Sequence, residues 1–151
     1  METSTFFFPK RTCLFFLSIL AFSFSLSAQT EISGEINSDS TLNFTGSPYL
    51  VPFGLVINPG ATLTVEQGVE LKFGNYATLQ VLGSLQAQGV IFTSGASAPE
   101  PGNWNGIVTG NDFHAGTVNL TDCEVKFYHE CVVVKGQMNA SNTSFSESNA
   151  H

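Results

Sequence analysis

The sequence predicts an all-β solenoid, and three observations carry that prediction. Short alternations of apolar and polar residues recur between Ser47 and Gly110. Glycine or Asn-Pro-Gly punctuates them. Two segments of the last third repeat at an offset of twenty residues. A period of two puts one set of side chains on one face of each strand. Strands of about three to five residues make a poor sandwich. They suit a stack of coils in which each coil covers the next.

Residues 1–28 read as a secretory signal peptide. Lys10 and Arg11 supply the positive start, Cys13 to Leu26 the apolar core, and Ser25-Leu26-Ser27-Ala28 the small residues for cleavage. The apolar core is shorter than the roughly twenty residues that a spanning helix needs. No cysteine stands at the cleavage site to accept a lipid anchor. The expected location is therefore secreted, extracellular or at the cell surface, with no membrane insertion after cleavage.

The chain has 5 basic and 12 acidic residues. Beyond residue 28 there remain 3 basic and 11 acidic residues, a net charge of −8, and no arginine. Nucleic acid and anionic membrane surfaces are disfavoured as partners, because both require clustered Lys and Arg. The remaining 123 residues suffice for one domain. At about twenty residues per coil they make around six coils. With coils about 4.8 Å apart, the stack would be of order 25–30 Å long.

Residues 29–46 read as an opening or capping segment. Ile32, Ile36, Leu42 and Phe44 supply a first strand or a cover for the end of the stack. An uncovered end exposes apolar core and unpaired strand edges. The coils run over 47–151. Leu55-Val56-Ile57 ends at Asn58-Pro59-Gly60, where Pro presets φ and Gly accepts positive φ. Leu63 and Val65 alternate with Thr62, Thr64 and Glu66 as far as Gln67-Gly68. Val69, Leu71 and Phe73 alternate with Glu70 and Lys72 as far as Gly74-Asn75. Leu79, Val81, Leu85 and Ala87 follow, broken by Gly83 and Gly89, and Ile91-Phe92-Thr93 closes the run. This register points Leu63, Val81 and Val125 into the coil interior.

The runs PGATLTVEQGVELKF (Pro59 to Phe73), LQVLGSLQAQG (Leu79 to Gly89), VIFTS (Val90 to Ser94) and GNWNGI (Gly102 to Ile107) carry a resemblance. Together with SPYLV before them they resemble the opening coils of secreted right-handed parallel β-helix proteins. Those are the pectin-lyase-like solenoids of bacterial, Bacteroidota-like, cell surfaces. The resemblance implies a right-handed parallel β-helix and says little about activity, since the motif marks the scaffold. One departure stands out. Gly89 runs straight into Val90 where the family has a few more residues, which implies a tighter corner.

Residues 95–103, GASAPEPGN, are too rich in Pro for a central strand and read as a protruding loop. Trp104 follows it and is the one tryptophan. It is either a sugar-stacking ring beside the loop or a packed side chain at a corner. Because the resemblance places a Trp in this scaffold motif, packing is the favoured reading. Trp104, Asp112 and His114 are the candidate ligand-contacting residues.

In the repeat, GTVNLTDCEV begins at Gly116 and GQMNASNTSF at Gly136. The offset sets Val118 beside Met138, Asn119 beside Asn139, Leu120 beside Ala140, Thr121 beside Ser141, Asp122 beside Asn142 and Val125 beside Phe145. Asn119 with Asn139, and Asp122 near Asn142, suit a polar ladder at a turn. The sequence stops at His151 inside a third such coil without an evident cap. The expectation is an N-terminal part of a longer protein, or an open coil that a partner covers.

Cys123 and Cys131 remain after the signal segment. Export permits a disulfide between them, and two small buried side chains in successive strands are the other reading. No paired CxxC spacing for zinc is present. By the resemblance, enzymes on this fold cleave acidic polysaccharides with clustered carboxylates, calcium and a basic residue. The polar candidates are Asp112, His114, Asp122, Glu124, Lys126, His129 and Glu130. Glu124 and Lys126 share one side of a strand, with Val125 and Phe127 opposite, and read as a surface ion pair. Asp112, Asp122 and Glu124 are the candidate calcium ligands, although their spacing matches no known loop, and the absent arginine removes the usual lyase base. No catalytic, cofactor-binding or metal-ligating set is assigned. The N-x-S/T sites at Asn43, Asn119, Asn139 and Asn142 matter only in a glycosylating pathway. The expected function is a structural or adhesive surface module that binds glycans or proteins. The alternative is the N-terminal part of a polysaccharide lyase or glycoside hydrolase whose active site lies beyond His151.

Overall fold

A computed structural model describes residues 29–149; the segment read as a signal peptide, 1–28, and residues 150–151 lie outside the described residues. The described chain winds through five coils. The first holds β1 (Thr30–Glu31), β2 (Gly34–Ile36) and β3 (Ser40–Leu42), then a single 3₁₀ turn, Phe44–Gly46. The second holds β4 (Tyr49–Val51), β5 (Leu55–Ile57) and β6 (Thr62–Val65). The third holds β7 (Glu70–Phe73), β8 (Thr78–Val81) and β9 (Ser84–Gln88). The fourth holds β10 (Ile91–Ser94), β11 (Gly106–Thr109) and β12 (Gly116–Thr121). The fifth holds β13 (Glu124–Lys126), β14 (Val132–Val133) and β15 (Gly136–Ser141), and β16 (Ser144–Ser146) opens the next turn.

Each coil gives one strand to each of three sheets. Sheet A has the order β1-β4-β7-β10-β13-β16, sheet B β14-β11-β8-β5-β2, and sheet C β15-β12-β9-β6-β3. All pairings between these strands are parallel. The chain is therefore a parallel β-helix. A uniform period predicts around six coils, and the fold has five. The fourth coil is long because it carries both the 95–103 loop and a second one at 110–115. Ile91 accordingly pairs with Glu124, while Glu124 pairs with Ser144 only twenty residues on. Within residues 29–46, β1, β2 and β3 pair with β4, β5 and β6 as a first coil.

Strands this short hold because alternate side chains stack on their equivalents in neighbouring coils. Leu63, Leu85 and Val118 sit side by side across sheet C, and Leu55, Leu79 and Ile107 across sheet B. Tyr49, Leu71, Phe92 and Val125 do the same in sheet A. Leu63, Val81 and Val125 are each fully buried. Burial of a side chain of this size contributes about 1.5–3 kcal/mol. Thr109 also points inward, and its Oγ1 is a buried hydroxyl without a hydrogen-bond partner.

The corners explain where alternation stops. Gly89 adopts a left-handed φ of 60° at the tight corner before Val90, which is fully buried. The Gly89 carbonyl accepts from Gly68 N at 2.9 Å, and its N–H donates to Thr121 O at 2.8 Å. The corner is thus bonded along the stack. Phe127 corrects the sequence reading. It does not continue inward after Val125, because its own φ of 60° turns the chain, and Tyr128 is buried instead.

Candidate functional site

Each of the three sheets shows a different chemistry to its outside. Sheet A carries ion pairs: Lys72 with Glu70 at 3.5 Å and Lys126 with Glu124 at 2.6 Å. The second is the surface pair expected from the alternation. Both are part-exposed, and such pairs contribute little to stability. Sheet B carries a mostly apolar central row, Val56, Gln80, Val108 and Val132, with Glu35 at its start. Sheet C is uncharged and polar.

The polar face of sheet C forms three rows. Thr62, Ser84, Thr117 and Gln137 make the first. Thr41, Thr64, Gln86, Asn119 and Asn139 make the second. Gln88, Thr121 and Ser141 make the third. Parallel register repeats them at about 4.8 Å. Within the second row Asn139 Nδ2 donates to Asn119 Oδ1 at 2.8 Å, and between the second row and the first Gln86 Nε2 donates to Ser84 Oγ at 3.0 Å. The expected Asn ladder is therefore present. At the adjoining corner Asn142 Nδ2 donates to Asp122 Oδ1 at 2.6 Å. A depression of about 410 Å³ lies between Thr64, Glu66, Gln86, Gln88, Asn119 and Thr121. Another of about 390 Å³ continues it past Asn139 and Ser141.

The loop at 110–115 stands at the edge of this face. Asn111 Oδ1 accepts from Phe113 N at 2.9 Å and from His114 N at 2.8 Å, and Asn111 N donates to His114 O at 2.9 Å. Lys135 Nζ donates to Asp112 O. These bonds hold the loop in one shape and leave the Phe113 ring 87% exposed. Phe113 and His114 wall a depression of about 400 Å³ whose floor includes Thr62 and Ser84 of the first polar row. The loop and the sheet thus make one surface.

Of the sequence-derived candidates, Asp112 and His114 share this loop. Trp104 does not join them. It is fully buried at the corner between sheets A and B, stacked on Phe73 and bonded through Nε1 to Lys126 O at 2.8 Å. A ring so enclosed offers no face to a sugar. Phe113, in the same loop, was not among the candidates. The remaining polar candidates lie apart. Asp122 and Glu124 flank the corner between sheets C and A, and His129 and Glu130 follow the corner from A to B. The trio Asp112, Asp122 and Glu124 is therefore split between two corners. Among the described residues no group of three His, Cys, Asp or Glu side chains is placed to hold a metal ion. No helix among them is long and apolar enough to cross a membrane.

Of the two readings of the cysteines, the structure has the unbridged one. Cys123 and Cys131 are both free. Cys123 immediately precedes β13 in sheet A, whereas Cys131 lies past the next corner and immediately precedes β14 in sheet B. Cys123 is buried, with Sγ facing Thr121 O at 3.2 Å and Ala87 O at 3.5 Å. Burial pushes both thiols above the ordinary value of 9.0.

No family model matches the chain. No solved structure matches it. A stretch of 66 residues, 43% of this chain, is 42% identical to Protein bark beetle of Drosophila melanogaster. That stretch spans 2% of the fly protein.

Proposed function

We propose that this chain is a secreted or cell-surface β-helix module of pectin-lyase-like type, structural or adhesive in role, which binds a glycan along the outer face of sheet C. One observation carries the reading: three rows of hydroxyl and amide groups, regularly spaced, with an exposed Phe113 at their edge. Hydroxyls and amides donate and accept at once, which suits sugar hydroxyls. The rows themselves carry no charged side chain; Glu66 and Asp39 stand beside them, Asp39 accepting from Thr62 N at 2.8 Å. A net negative chain repels polyanions, so the glycan is uncharged. Many shallow contacts on a fixed sheet give binding without enclosure, because the ordering cost is already met by the fold. Export, on which the location depends, rests on the composition of residues 1–28.

Affinity electrophoresis in gels containing neutral or acidic polysaccharides tests the reading. Retardation by a neutral polymer, lost in Gln86→Ala with Asn119→Ala and weakened in Phe113→Ala, is the expected outcome. Retardation by none, or equal retardation of the variants, overturns it. Release of unsaturated or reducing-end products by residues 29–151 would replace binding by catalysis.

A further inference from the structure

Sheet B carries a second surface, distinct from the polar face. Phe53 and Tyr76 occupy the corner between sheets A and B in successive coils, 87% and 79% exposed. The Tyr76 ring cannot turn inward without rebuilding the corner. Tyr76 has a left-handed φ of 62°, an outlier for a bulky residue. Its N–H donates to Asn103 O at 2.9 Å, and its carbonyl accepts from Asn105 Nδ2 at 2.7 Å. Asn105 Nδ2 also donates to Thr78 Oγ1 at 3.0 Å. Beside Phe53 lies a hollow of about 490 Å³, lined by Glu35, Val56, Thr78 and Gln80. Gln80 lies across the next strand, its Nε2 donating to Gly110 O at 2.9 Å, and the outward valines Val56, Val108 and Val132 are half-buried.

Any partner that covers Phe53 and Val56 also covers Glu35. A carboxylate taken from water without a counter-charge is strongly unfavourable. Glu35 Oε2 accepts from Asn58 Nδ2 at 2.9 Å, which orients it and does not neutralise it. The three lysines of the described residues are committed elsewhere: Lys72 to Glu70, Lys126 to Glu124, and Lys135 to Asp112 O. The cation must come from outside. An exposed aromatic ring beside a carboxylate is itself a site for an ammonium or guanidinium group, and the net negative chain draws such partners in.

We infer that this hollow on sheet B docks a segment of a partner protein that combines a Lys or Arg side chain with apolar neighbours. The charged head meets Glu35, and its stem and the apolar residues cover Phe53 and Val56. The surface is separate from the glycan face and stands if that face fails.

The test titrates an acetylated, amidated Lys-Leu-Lys-Leu-Lys peptide into residues 29–151, with Glu-Leu-Glu-Leu-Glu and a neutral oligosaccharide as controls. Variants are Phe53→Ser, Glu35→Gln and, remote from the hollow with the same charge change, Glu100→Gln. Phe53 and Glu35 are solvent-exposed, so the variants keep the fold, and circular dichroism checks it. The basic peptide is expected to bind, at least about fivefold more weakly in Phe53→Ser and Glu35→Gln, with Glu100→Gln unchanged. Equal weakening by both Glu variants with no effect of Phe53→Ser means a diffuse field and overturns the inference. So does binding of the oligosaccharide at Phe53, or no binding of the basic peptide.

Discussion

Phe73 and Trp104 stack face to face, ring centroids 4.1 Å apart and planes 8° from parallel. The contact joins the third coil to the fourth at the corner where the 95–103 loop leaves and returns. Tyr128 meets the Trp104 ring edge-on at 6.5 Å, and Phe145 meets Tyr128 at 6.2 Å. An aromatic column therefore runs along the inside of this corner through four coils. It lets one coil bear a long excursion without losing register with its neighbours.

Trp104→Ala removes the centre of that column. A buried Trp-to-Ala change costs about 3–5 kcal/mol. Trp104→Phe keeps the stack and loses the bond to Lys126 O, which costs about 1 kcal/mol. Urea unfolding followed by circular dichroism distinguishes the two. In the parent, the single tryptophan emits as a buried indole and shifts red on unfolding. Equal stability of the Ala variant and the parent would refute the role given to the column.

Thr109→Val is expected to stabilise. The hydroxyl of Thr109 is buried without a partner, and such a group costs about 1–3 kcal/mol. Valine fills the same space between Val81 and Val133, its neighbours in sheet B. The melting temperature should rise by several degrees. A fall would mean that the hydroxyl is satisfied in solution, by water or by a shifted carbonyl.

Charge placement tests the register. Leu63→Glu, Val81→Glu and Val125→Glu each put a carboxylate where exposure is zero, and each should unfold the domain. Thr64→Glu, one residue from Leu63 on the exposed side, should leave the β-type circular dichroism spectrum intact. Three folded inward variants would show that the alternation is set the wrong way round.

That register was legible because a strand with one buried face repeats with period two, and a solenoid stacks like on like. The pairing of Val118 with Met138 and of Val125 with Phe145 could be read from the twenty-residue offset, and it is the register found. The corners were not legible. Phe127 and Tyr76 adopt left-handed backbone that their side chains disfavour, so local preference points the wrong way, and tertiary bonds to neighbouring coils decide. The surface was half legible. Alternation marks Thr64, Gln86 and Asn119 as outward, but only the pairing of β6, β9 and β12 brings them into one row. Phe113 escaped because nothing in an isolated turn tells an exposed ring from a buried one.

The two free thiols give stability a dependence on alkaline pH. Burial raises the Cys123 and Cys131 values above 9.0, the value expected in the unfolded chain. Below pH 9 both states hold the protons, and the contribution is fully present. Above it the unfolded chain releases protons that the folded chain retains, so stability falls as pH rises through the folded values. Urea midpoints measured from pH 7 to 10.5 should decline more steeply in the parent than in a Cys123→Ala, Cys131→Ser double variant. Thiol titration in denaturant without reductant should count two reactive groups beyond residue 28. Parallel slopes would show that the thiols are not buried as described, and a count of zero would restore the disulfide.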